Sequence, residues 1–144
     1  MNGHKKIVID INIRFRDIDS MGHVNNVVYL TYFEEGRKEF LRSLFGIINP
    51  EDYNFILAQI SCDFYKPIKI SDTISLEIWI GKIGQKSFDF NYQLIGKDDK
   101  NNEPTIYAKG KSIQVFFDYK KNIALPVSKQ FRGKVSDYIS RKIE

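Results

Sequence analysis

The chain has 144 residues, 42% of them hydrophobic and 14% aromatic, and a formal net charge of +4. That length suits a single domain, 1–144, with its own core, and no run approaches the ~18 apolar residues of a membrane span. The start, MNGHKKIVID, lacks a signal peptide's apolar stretch, the lone Cys62 has no internal partner, and Arg-rich clusters and zinc-finger spacings are missing; together these point to a cytoplasmic protein that does not bind nucleic acid.

Ile7, Ile9, Ile11, Ile13 and Phe15 alternate with Val8, Asp10, Asn12 and Arg14, a period of two that predicts a half-buried strand. The polar stretch DIDSMGHVNN follows, and then VVYLTYFEEGRKEFLRSLFG. In the latter, Tyr29, Phe33, Gly36, Phe40 and Leu44 recur at steps of three and four, marking one face of a long helix. Glu34, Glu35, Lys38 and Arg42 occupy the remainder. Asn25 or Asn26 suits the N-cap and Gly46 the left-handed C-terminal stop. Gly36 within the stripe costs about 1 kcal/mol relative to alanine, so it is read as a point of close approach to a sheet.

A second strand places Ile56, Ala58, Ile60, Cys62 and Phe64 on one face and stops at Lys66-Pro67. A third covers 73–80 with Ile74, Leu76, Ile78 and Ile80 inward, and KIGQ is a hairpin connection to a fourth over 87–94. There Phe88, Phe90, Tyr92 and Leu94 face inward. GKDDKNNEP reads as a charged loop, 105–117 as a long fifth strand containing Gly110, and 128–139 as a short helix with Phe131, Val135 and Tyr138 inward. Consecutive strands after one long helix predict an α+β fold, a five-stranded antiparallel sheet wrapped around a central helix. Its exposed edges call for a homo-oligomer.

The polar stretch carries the candidate chemistry. Asp17 and Asp19 lie just ahead of a helix start, where unpaired N–H groups and about half a positive charge project. Such a place stabilises an oxyanion forming on a carbonyl, so Asp19 beside it is a minimal acyl-transfer site: a nucleophile or base, and an anion hole. The same residues also fit a capped turn.

RFRDIDSMGHVNNVVYLTYFEEGR resembles the signature of the 4-hydroxybenzoyl-CoA thioesterase-like branch of the hotdog-fold thioesterases. A strand end leads to D-x-D-x-x-G, then to a helix opening Y-F-E-x-x-R. CDFYKPIKISDTISLEIWI and GQKSFDFNYQL also match the family's strand patterns, so the resemblance spans nearly the whole chain. It implies a hotdog fold paired into dimers or tetramers, and an acyl-CoA thioesterase releasing free acid and coenzyme A. By position, Asp19 matches the catalytic carboxylate and Asn26 the residue whose backbone N–H holds the thioester carbonyl. Gly22 matches the glycine that lets the loop turn near the substrate. Lys86 and Ser87 match the K-S that meets coenzyme A, although Gly84 and Gln85 stand where the 4-hydroxybenzoyl-CoA enzyme has arginines. Asn25 and Asn26 are not that enzyme's pocket aromatics, so an aromatic acyl group is not implied.

HVNN also resembles plant acyl-ACP thioesterases, in which an Asn and then a His follow the catalytic Asp. His23 fits the latter place, but Met21 replaces the Asn. His23 is thus open to two readings, a general base or a turn residue bonded to backbone. Glu34 and Glu35 sit ~13 Å along the helix, too far to share a carbonyl with Asp19. Thioester hydrolysis needs no metal and no redox cofactor, coenzyme A being part of the substrate. The alternatives are an acyl-ACP thioesterase and a non-catalytic acyl-CoA-binding module. A dehydratase would need a helix histidine that the run from Val27 to Leu44 lacks.

Overall fold

Residues 3–97 and 103–140 are described in the computed structural model. The five long strands are β1 (Ile7–Ile11), β2 (Phe55–Phe64), β3 (Ile74–Ile83), β4 (Ser87–Lys97) and β5 (Pro104–Asp118). They form one antiparallel sheet in the order β1-β3-β4-β5-β2, with the short β6 (Ile123–Ala124) attached to β5. Helix α1 (Asn26–Phe45) follows β1 and packs on one face of this sheet, and α2 (Lys129–Lys134) follows β6. This is the hotdog arrangement of a sheet around a long central helix.

Alternation along the strands explains which face is covered. Ile74, Leu76, Ile78 and Ile80 of β3 and Phe88, Phe90, Tyr92 and Leu94 of β4 are all buried, each at 1% exposure or less. Against them α1 sets Tyr29, Phe33, Gly36 and Phe40, as its periodicity predicts, together with Tyr32 and Leu41. Phe33 stacks on Tyr92 at 4.3 Å and Phe40 meets Phe90 edge-on at 4.9 Å. Burying such side chains contributes roughly 1.5–3 kcal/mol apiece. Two glycines make the approach close: a Cβ on Gly36 would lie 2.5 Å from Leu76 Cδ2, and one on Gly110 would enter the Phe33 ring.

Under α1 the sheet also carries a buried polar chain. Arg37 donates to the Tyr92 hydroxyl (3.0 Å), which pairs with Ser112 (2.5 Å); Ser112 donates to Gln114, and Gln114 to the Phe88 carbonyl (3.1 Å). Every member thus has a partner, which is what makes burying it tolerable.

Asn25, rather than Asn26, caps α1, and Gly46 closes it at φ 67°. Three expectations need correction. β1 ends at Ile11, and Phe15, at 86% exposure, points to solvent; the chain has turned into a 3-10 segment, Phe15–Asp17, whose Asp17 caps Arg14 N–H. β2 does not keep one face throughout, because a bulge between Leu57 and Gln59 changes the pairing. Ile56 opposite Val115 and Ile60 opposite Ser112 therefore face opposite sides. The C-terminal helix stops at Lys134, followed by a 3-10 turn over Ser136–Tyr138, because Ser140 N–H bonds the Ile80 carbonyl (2.7 Å) beside an Ile80–Ile139 bridge. The end of β3 captures the tail that would otherwise wind on. Of the expected GKDDKNNEP loop, residues 98–102 lie outside the described residues, while Gly96, Lys97 and Pro104 belong to β4 and β5. Among the described residues no helix is long and apolar enough to cross a membrane.

Candidate active site

The polar stretch folds into a narrow hairpin. Asn25 N–H bonds the Asp17 carbonyl (2.8 Å), Ile18 bridges Val24, and Asp19 N–H bonds the His23 carbonyl (2.8 Å). At the tip, Gly22 adopts φ 82°, a conformation natural to glycine, and donates to the Asp19 carbonyl (3.1 Å). The Asp19 side chain turns into its own loop: Oδ1 accepts from Met21 N–H (2.8 Å) and His23 N–H (3.2 Å). Its second oxygen has no protein partner among the described residues. The turn itself therefore orients the carboxylate.

The hairpin delivers the chain to α1 at Asn25. The Asn25 side-chain oxygen accepts from Val27 N–H (3.0 Å) and its carbonyl from Val28 N–H (2.9 Å). Of these first three donors, the Asn26 N–H is left without an acceptor among the described residues. It stands at the positive end of a 20-residue helix.

Asp19, His23 and Asn26 line one cleft of about 240 Å³, walled by Tyr29, Phe64 and Lys66. The Tyr29 ring is buried edge-on to Phe64 at 4.8 Å. Burial raises its phenol above the ordinary range, a backbone hydrogen bond at Ile68 acting the other way. Burial, with the Asp63 charge adding, pushes the Cys62 thiol up to about 11. Cys62 is thus a poor nucleophile at neutral pH. His23 builds the turn through its N–H and carbonyl, and it is among the residues lining the cleft.

Lys86 and Ser87 are not brought to this cleft within one chain. Ser87 pairs with Val115 on β5, whereas the cleft residue Phe64 pairs with Ala108. Seven residues of strand separate those positions, about 24 Å. Sequence reasoning also missed Lys66, which stands at the cleft wall with its ammonium 5.7 Å from the Tyr107 ring centre. A strand end before a proline was the signal available. Asp17 does not face the cleft; it binds Tyr32, as described below. Among the described residues no three or more His, Cys, Asp or Glu side chains group as metal ligands would.

The family model of the Thioesterase-like superfamily matches residues 13–135, which include the whole hairpin, α1 and the four long strands β2 to β5. The chain belongs to the Thioesterase-like superfamily. A 1,4-dihydroxy-2-naphthoyl-CoA hydrolase of Prochlorococcus marinus is 28% identical over 96% of this chain and 89% of its own length. A Thermus thermophilus thioesterase solved with coenzyme A and Zn superposes with a TM-score of 0.76 at 25% identity, covering 92% of this chain and 98% of that one. A 4-hydroxybenzoyl-CoA thioesterase solved with 4-hydroxybenzoyl-CoA gives a TM-score of 0.74 over 90% of this chain and 98% of that one; its 15% identity speaks to the fold alone.

Proposed function

We propose that the protein hydrolyses acyl-coenzyme A thioesters. One observation carries the reading: the loop-oriented Asp19 carboxylate and the acceptor-free Asn26 N–H line the same cleft. The thioester carbonyl oxygen docks on that N–H, and the helix start stabilises the negative charge that develops there. The free oxygen of Asp19 then attacks the carbonyl carbon, expelling the coenzyme A thiolate and leaving a mixed anhydride that water cleaves. Alternatively it takes a proton from a water that attacks directly. Either route consumes one water and yields acid and thiol. Single turnover in ¹⁸O-water tests the anhydride, since only its cleavage at the Asp19 carbonyl leaves solvent oxygen in Asp19 and none in the first acid released.

The reading includes Gly22 as the residue that lets the loop close near the substrate, and His23 as a turn residue. Lys86 and Ser87 enter it as contacts to the carrier's phosphates on the cleft of a neighbouring copy, in a homo-oligomer. Asp19→Asn keeps an oxygen for Met21 and His23 N–H but removes the charge. Turnover is expected to fall about a thousandfold or more, with the circular dichroism spectrum unchanged. Short-, medium- and long-chain acyl-CoAs, with aryl-CoAs, form the substrate panel. Wild-type turnover in Asp19→Asn, or no hydrolysis of any member by the native protein, defeats the reading.

A further inference from the structure

The first aspartate of D-x-D and the tyrosine of Y-F-E-x-x-R have no part in the reaction just described, yet they meet. Tyr32 is 2% exposed in the second turn of α1, and its hydroxyl donates to Asp17 Oδ2 at 2.8 Å. The same oxygen accepts Arg14 N–H at 3.0 Å, and the Asp17 carbonyl accepts Asn25 N–H at 2.8 Å. One residue thus joins the turn after β1, the cap of α1 and the body of α1.

We propose that Asp17 and Tyr32 are a positioning pair that sets the Asn26 N–H against Asp19. The inference rests on the hydrolase reading above and assigns a job within that same site. Its physical basis is the hairpin. The Asp17–Asn25, Ile18–Val24 and Asp19–His23 pairings tie the two candidate reacting groups to one small frame. Packing of Phe33, Gly36 and Phe40 on the sheet fixes the body of α1, but it does not tie that body to the hairpin frame. The Tyr32 hydroxyl, six residues beyond Asn26, makes that tie and so sets the first turn of α1 against the loop that carries Asp19. Displacing an oriented donor by about an ångström can cost up to a hundredfold in rate, so a bond that holds the donor acts on catalysis without touching substrate. Burial first, and then the hydrogen bond to Asp17, raise the Tyr32 phenol far above its ordinary range. It therefore remains a donor across any usable assay pH.

Tyr32→Phe removes only the hydroxyl and leaves the ring in the core. Asp17→Ala removes the acceptor that Tyr32 and Arg14 N–H share. Each variant is expected to lower kcat about tenfold, the rate equivalent of one hydrogen bond, with KM within about twofold. The double variant should fall no further than the worse single one, because both break the same link. In parallel, ¹⁵N–¹H spectra of the uniformly labelled native and Tyr32→Phe proteins should show displaced amide signals at Asn25 to Val28. A merely structural bond would lower Tm and leave kcat below the melting range unchanged. Wild-type kcat in Tyr32→Phe overturns the proposal, and so do unmoved amide signals at the helix start. If the native protein hydrolyses no thioester, the hydrolase reading falls by itself and the amide signals alone decide whether the pair positions Asn26.

Discussion

Asp17 and Asp19 share a motif but have separate uses, and the difference lies in their donors. Asp17 is engaged from two elements, by Arg14 N–H and Tyr32, whereas Asp19 spends one oxygen on its own loop and keeps the other. A D-x-D pattern marks both residues equally, because hydrogen-bond partners fifteen positions away are invisible in it. Cys62 gives a prediction at this scale. With its thiol pushed up to about 11 by burial and then by Asp63, the reactive thiolate is scarce below that pH, about one part in a thousand at pH 8. Alkylation by iodoacetamide, followed by mass spectrometry, should be slow at pH 7.5 and rise about tenfold per pH unit toward pH 11. A rate at pH 7.5 equal to that of free cysteine would contradict the assigned environment.

The helix and the central strands were legible because their signals are local. Steps of three and four placed Tyr29, Phe33, Gly36 and Phe40 on the buried face of α1, and alternation did the same for β3 and β4. The errors occurred where a partner element overrides periodicity: the Leu57/Gln59 bulge is a response of β2 to β5, and the early end of α2 is a response to β3. Close packing of α1 on the sheet makes a second prediction. At Gly110 a methyl group would meet the Phe33 ring, itself stacked on Tyr92, with the Ser61 carbonyl 3.1 Å away on another side. Gly110→Ala should destabilise by about 1–3 kcal/mol. Gly36→Ala should cost less, since the obstructing Leu76 methyl ends a flexible side chain and alanine favours the helix by about 1 kcal/mol. Urea midpoints of the two variants test the order, and a reversal would mean that the strand yields more readily than the helix.

At the scale of the molecule, β2 is an edge of the sheet among the described residues, next to the candidate site, and Leu57 and Phe64 on it are 45% and 48% exposed. Met21 and Val27, on the loop and first helical turn, are 76% and 70% exposed. An open strand edge with apolar side chains favours pairing with another chain. Two copies are expected to associate across β2, with a charge on that edge opposing it. Leu57→Lys should move the sedimentation coefficient from that of a dimer or tetramer to that of a monomer. On the proposed function, it should also weaken hydrolysis of acyl-CoAs, because that reading takes Lys86 from a neighbouring copy. A native protein that sediments as a monomer at micromolar concentration would remove both expectations.

Sequence by itself determined the α+β layering, the buried faces of α1, β3 and β4, and the loop in which the candidate reacting groups lie. Hydrophobic period and turn residues are properties of neighbours along the chain, so they can be read there. Only the tertiary structure decided that Asn25 caps the helix and leaves Asn26 N–H without an acceptor among the described residues, that Tyr32 engages Asp17 outside the cleft, and that the strand partners of Ser87 and Phe64 lie about 24 Å apart along β5. Those outcomes depend on hydrogen bonds and registers between residues far apart in the chain, which the burial of the α1 face against the sheet brings into range.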